Sequence, residues 1–139
     1  GGVAAYAQKL SGLTRDLGHS LRHVIGFSAG ASAWWINCKG RSASENVTQC
    51  KGIQSATLFY GSRIRDYPDI EADCPTQFIF AEQEVAFEPS SLVNTLRQRG
   101  HLAEIVPGTK HGCMNPYSSG FSLKTQRRYL DYLAEKVSA

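Results

Sequence analysis

The chain lacks most of the features that assign a sequence quickly. It has four cysteines, Cys38, Cys50, Cys74 and Cys113, but no CxxC pair and none beside histidines at zinc-ligand spacing. A metal site is therefore not expected. No apolar run approaches the roughly 20 residues that a membrane-spanning helix needs, so no membrane role is expected. Basic charge is thin: the net charge of +3 comes from pairs such as Arg63 with Arg65 and Arg127 with Arg128, not from a stripe. A solvated surface accounts for such pairs, and nucleic acid is not expected as a partner. Internal repeats, low-complexity tracts and interdomain linkers are missing as well. Residues 1–139 are accordingly read as a single domain, long enough for one core.

Two smaller features carry little weight. Cys38 and Cys50 flank one loop and a disulfide would close it, but free, partly buried thiols of a cytoplasmic protein are the reading adopted. Asn46-Val47-Thr48 fits the glycosylation pattern, which is short enough to arise by chance. The chain opens Gly1-Gly2 without methionine, so no signal peptide is legible and none is excluded.

What is there is an alternation of two hydrophobic periods. Val3, Tyr6, Ala7, Leu10, Leu13 and Leu17 recur at helical spacing over 3–17. Residues 22–27 read as a short buried strand. Residues 29–36, small at first and aromatic later, suit a helix lying close on a sheet. A polar loop is expected over 39–52, strands at about 54–60, 76–81 and 101–106, and a loop over 66–74. Pro89 can open a helix whose apolar face is Leu92, Val93 and Leu96, with Gly100 ending it. A last helix is expected from about 122 to 137, with Tyr129, Leu133 and Val137 on one stripe. Strands alternating with helices predict an α/β protein, a three-layer α/β/α arrangement around a mostly parallel sheet.

Gly26-Phe27-Ser28-Ala29-Gly30 fits the G-x-S-x-G elbow, with a strand before it and a helix after it. A serine on so sharp a turn has a strained backbone, and small neighbours two residues away make room for it. The turn lifts Oγ above the sheet, and the helix N-terminus behind it favours developing negative charge. A hydroxyl is a poor nucleophile at neutral pH and needs a base. His111 stands on the loop after the last strand, whereas His19 and His23 precede the elbow and His101 begins a strand. Histidine suits the task because its ordinary pKa lies near neutrality. An acid that orients it is available after strand 76–81: Glu84 first, with Glu82 and then Glu88 as alternatives. The backbone N–H of Ala29 would be one oxyanion donor. A second normally comes from a loop after an earlier strand, and upstream of the elbow this chain offers only a helix.

Four segments then resemble the dienelactone hydrolase family of α/β-hydrolases. They are Ile25-Gly26-Phe27-Ser28-Ala29-Gly30, Phe59-Tyr60-Gly61, Cys74 through Glu84, and Gly108-Thr109-Lys110-His111-Gly112. The resemblance implies a partial α/β-hydrolase fold, the C-terminal half with its last four strands, acting on a small-molecule ester or lactone substrate. It places the nucleophile, acid and base on Ser28, Glu84 and His111, and it implies no metal or organic cofactor. The family's best-known members carry cysteine at the elbow, so Ser28 favours esters over specialised lactone chemistry. Glu84 stands for the usual aspartate. Asn115 and Pro116 stand where lactone hydrolases place an arginine for the substrate carboxylate. Trp34, Trp35, Tyr60 and Phe87 are candidates to line an acyl pocket. The strand edge left where the N-terminal strands would lie invites pairing with another chain, so a homo-oligomer stays open. Two rival readings stay open too: a catalytically silent domain that binds a small molecule or a protein, and acyl transfer to an acceptor other than water.

Overall fold

A computed structural model describes residues 23–36, 38, 53–71 and 74–138. The helix expected over 3–17, the loop over 39–52, Asn46 and Cys50 with its pairing to Cys38 lie outside these residues. In chain order the described elements are β1 (His23–Phe27), α1 (Ala29–Ile36), β2 (Ser55–Phe59), a 3-10 turn (Ser62–Asp66), β3 (Thr76–Gln83), α2 (Pro89–Gln98), β4 (Leu102–Lys110) and α3 (Leu123–Ser138). The strands lie side by side in the order β1-β2-β3-β4, and all three pairings are parallel. No helix among the described residues is long and apolar enough to cross a membrane.

Side chains alternate across a strand, so each strand feeds two cores. Ala56 and Leu58 of β2, Phe78 and Phe80 of β3 and Ala103 of β4 pack on one face with Trp34 and Trp35 of α1 and Leu92, Val93 and Leu96 of α2. Phe59, Ile79 and Val106 point the other way, against Tyr129 and Leu133 of α3. This is the expected three-layer arrangement. It also explains why β2, covered on both sides, is buried at all five positions and shows no polar alternation. His101 belongs to this packing: its ring lies edge-on to Trp35 and Phe78. Burial, helped by the nearby Arg99, holds its pKa below the usual histidine value.

α1 approaches the sheet closely because its first residues are small. A Cβ built on Gly26 would lie 2.9 Å from the Cα of Ala31 and 3.0 Å from its nitrogen, so the strand and the helix backbone nearly touch there. Contact with an immovable backbone leaves no room for any larger residue.

Three expectations are corrected. β3 runs two residues further than expected, to Gln83, and β4 continues through Pro107 and Gly108 to Lys110. The continuation is a bulge. Ala81 pairs with Val106 and Gln83 with Lys110, so β4 carries extra residues over that stretch. Pro107 is tolerated because among the described residues β4 is an edge strand, and Gly108 takes φ 74°. Thr109 ties the bulge down: its hydroxyl donates to Val106 O at 2.7 Å and accepts from Glu82 N–H at 3.3 Å. Finally, Val137 is 54% exposed, and the buried stripe of α3 ends at Leu133.

Gly26→Ala is expected to destabilise the fold by about 1–3 kcal/mol, the usual range for forcing extra volume into a packed core. Urea denaturation followed by circular dichroism measures this, and an unchanged midpoint would mean that α1 sits further from β1 than described.

Candidate active site

Register builds the site. Phe27 pairs with Phe59 and Gln83 with Lys110, so the residues just past the strand ends gather above the carboxyl edge of the sheet. They are Ser28, Tyr60, Glu84 and His111, one from each strand. Ligand sites of open parallel sheets lie at this edge.

Ser28 leaves the sheet by a left-handed backbone step, φ 50°, which is uncommon outside glycine. Two bonds hold it there: its N–H donates to Phe59 O at 2.9 Å, and its carbonyl accepts Ser32 N–H at 3.0 Å as α1 begins. Ala29 is the first residue of α1. Its N–H belongs to the first turn, whose N–H groups have no intrahelical acceptor, and it points where the helix dipole is positive. Among the described residues no strand precedes β1, so none offers the second donor that such folds take from a loop after an earlier strand.

The backbone N–H of His111 donates to Gln83 O at 3.2 Å, which extends the β3–β4 ladder by one rung and sets the imidazole beside Glu84. The His111 Nδ1 lies 2.9 Å from Glu84 Oε2 and 3.1 Å from Oε1. Its Nε2 lies 3.1 Å from Ser28 Oγ. The carboxylate accepts only, so Nδ1 carries the proton, and in the neutral ring Nε2 is left to accept the serine hydroxyl. Glu84 is buried, its side chain 3% exposed, while that of His111 is 38% exposed. Gly112 follows with φ 83° and turns the chain away, and a Cβ there would collide with Ser118.

The other carboxylates are occupied or remote. Glu88 caps α2, accepting Ser90 N–H at 3.4 Å and its hydroxyl at 3.0 Å. Glu82 is exposed. The structure thus brings Ser28, His111 and Glu84 together, and neither Glu82 nor Glu88 is among the hydrogen-bond partners of His111. No group of three or more His, Cys, Asp or Glu among the described residues is arranged to hold a metal ion.

A depression of about 560 Å³ opens beside Ser28, lined by Phe27, Tyr60, His111, Gly112, Met114, Asn115, Pro116 and Ser118. A second, of about 640 Å³, lies on the far side of His111 around Glu84 and Phe87. Of the four aromatics considered for the pocket, only Tyr60 lines the depression at Ser28. Trp34 and Trp35 are 1% and 0% exposed and belong to the core under α1, where large rings bury the most apolar area. Met114 and the bulge at Pro107-Gly108-Thr109, which carries the chain toward His111, were not singled out in the sequence. A Pro-Gly pair just before a histidine was the available signal.

Strand order, layers and this strand-end cluster define an α/β-hydrolase fold, represented by four strands of its parallel sheet. The solved structures that match confirm it. A Klebsiella pneumoniae subsp. pneumoniae protein provisionally named a dienelactone hydrolase superimposes with a TM-score of 0.58 at 19% identity, over 81% of this chain and 50% of its own. MGS-MChE2, an α/β-hydrolase enzyme from the metagenome of sediments of the Mar Chica lagoon, Morocco, gives 0.58 at 12% identity, over 96% and 70%. In sequence the chain is 35% identical over 101 residues to YczH of Bacillus subtilis (strain 168), a protein without an assigned function. That match covers 71% of this chain and 45% of YczH, so the chain spans about half the length of such relatives. No family model matches the sequence. The likeness to a dienelactone hydrolase therefore holds at the level of fold.

Burial of phenols and a thiol near the site sets an alkaline limit. Burial, the Cys113 thiol and Glu84 push the Tyr60 hydroxyl up to about 12, against a smaller opposing effect of the Met114 backbone. Burial and the hydrogen bond to Glu104 raise that of Tyr129, and burial raises Cys113. Groups raised in the folded state stabilise it below their unfolded pKa values and lose that contribution as pH climbs toward the folded ones. The melting temperature is thus expected to fall once pH passes about 9–10, the ordinary thiol and phenol range. Tyr129→Phe should shallow the fall, and melts recorded from pH 7 to 11 measure both.

Proposed function

We propose that this chain carries the nucleophile, base and acid of a carboxylic-ester hydrolase of the dienelactone-hydrolase type, acting on a small-molecule ester or lactone. The reading rests on one observation: an unbroken hydrogen-bonded chain from the Ser28 hydroxyl through both His111 nitrogens to a buried carboxylate. In this scheme Ser28 Oγ bonds to the acyl carbon while His111 Nε2 takes the hydroxyl proton. The oxyanion faces the Ala29 N–H at the positive end of α1. The tetrahedral species collapses, the C–O bond to the leaving group breaks, and His111 returns the proton to the departing alkoxide. Water then repeats the attack with His111 as base, releasing the acid and free Ser28. Glu84 holds the ring's tautomer and stabilises the imidazolium that forms in each step.

Phe27, Tyr60, Met114 and Pro116 beside Ser28 favour an uncharged, apolar substituent on the substrate. The cytoplasmic placement is part of the proposal and agrees with a buried Cys113 that forms no disulfide. So is self-association through β1, where Ile25 and Phe27 are each 40% exposed and no further strand lies outside among the described residues.

Intact mass after incubation with a fluorophosphonate tests the reading. A single adduct is expected on the wild type and none on Ser28→Ala. A folded protein that takes no adduct would mean the silent-domain reading is right. On a responsive short ester, Glu84→Gln is expected to lower kcat by about 10³–10⁴, as loss of the orienting carboxylate does in serine hydrolases of this type.

A further inference from the structure

Hydrolysis as proposed employs three of the four residues at the strand ends. The fourth, Tyr60, is built with as much constraint as Ser28. It follows Phe59 as Ser28 follows Phe27, and those phenylalanines are register partners. Both following residues take a left-handed backbone, φ 37° at Tyr60 and 50° at Ser28, and among the described residues no other non-glycine position does. For a bulky residue this conformation is strained and persists only where the surroundings over-determine it.

The surroundings do so from three directions. The N–H of Tyr60 donates to Ile79 O at 2.7 Å. The next residue, Gly61, is pressed on α1: an added Cβ would lie 3.1 Å from Ala31 Cβ and 3.2 Å from Ser32 N. The residue itself is 3% exposed, and its ring centroid lies 4.9 Å from that of the His111 imidazole and 6.3 Å from that of Phe27.

We propose that Tyr60 is a positioning residue of this site: its ring packs against the His111 imidazole and holds Nε2 toward Ser28. The proposal rests on the roles given above to Ser28, His111 and Glu84. Tyr60 stays protonated through the neutral range, since burial raises its pKa, so it acts by contact and not by exchanging a proton.

Tyr60→Leu removes the ring, and Tyr60→Phe keeps it as the conservative variant. In proton NMR Tyr60→Leu should abolish the far-downfield signal of the His111 Nδ1 proton shared with Glu84, which Tyr60→Phe retains. On a responsive ester kcat should fall about tenfold in Tyr60→Leu with KM unchanged, because displacement of the base affects chemistry more than binding, and Tyr60→Phe should recover most of it. If Tyr60→Leu does not fold, Tyr60→Met, which fills more of the ring's volume, takes its place. The imidazole signal and kcat both unchanged in the folded variant that lacks the ring would overturn the proposal. The imidazole readout needs no turnover, so a wild type that takes no fluorophosphonate would refute the hydrolase reading while Tyr60 is still judged on it.

Discussion

One pairing sets the site: Gln83 of β3 against Lys110 of β4, reached only after the bulge at Pro107-Gly108. Without the extra residues in β4, the register continuing from Ala81 and Val106 would bring a different residue opposite Glu84. From Val106 to Lys110 is four residues against two from Ala81 to Gln83, so the register shifts by two places while side chains keep their faces. The bulge therefore determines that His111 meets Glu84, and Thr109, bonded both to Val106 O and to Glu82 N–H, keeps the bulge in place. The site geometry is a consequence of strand register rather than of loop adaptation.

The rest of the fold supports that edge. α1 lies close enough to β1 and β2 for Ala31 to reach Gly26 and Gly61. Packing that tight fixes where the helix starts, and with it the turn at Ser28. Cores on both faces enclose β2 and β3, so the strained steps at Ser28 and Tyr60 leave strands packed from both sides. Strain at a functional edge persists when its surroundings leave the chain no alternative.

Much of this was legible from the residues, for reasons that differ by element. The Gly-x-Ser-x-Gly turn is readable because steric demands at that turn restrict its neighbours to small residues, and its strand and helix follow from ordinary periodicity. The hydrophobic face of α2 at Leu92, Val93 and Leu96 is readable for the same reason. The lengths of β3 and β4 were not, because Pro107 and Gly108 ordinarily punctuate a strand and here form a bulge within one. Choosing among Glu82, Glu84 and Glu88 needed coordinates: alternation places Glu82 and Glu84 on the same side, and only the register decides which reaches the imidazole. Burial of Trp34 and Trp35 depends on tertiary packing, which the aromatic content of a helix does not reveal. Identity to known proteins adds the fold and stops there, since the solved structures share 19% and 12% of residues and the chain spans about half of YczH.

The most direct test of the central claim is a crystal structure of the protein after reaction with a fluorophosphonate. The account expects phosphorus bonded to Ser28 Oγ, one phosphoryl oxygen within about 3.1 Å of the Ala29 nitrogen, and His111 still bridging toward Glu84. An unmodified Ser28, or a phosphoryl group turned away from Ala29 with the His111–Glu84 contact broken, would contradict it.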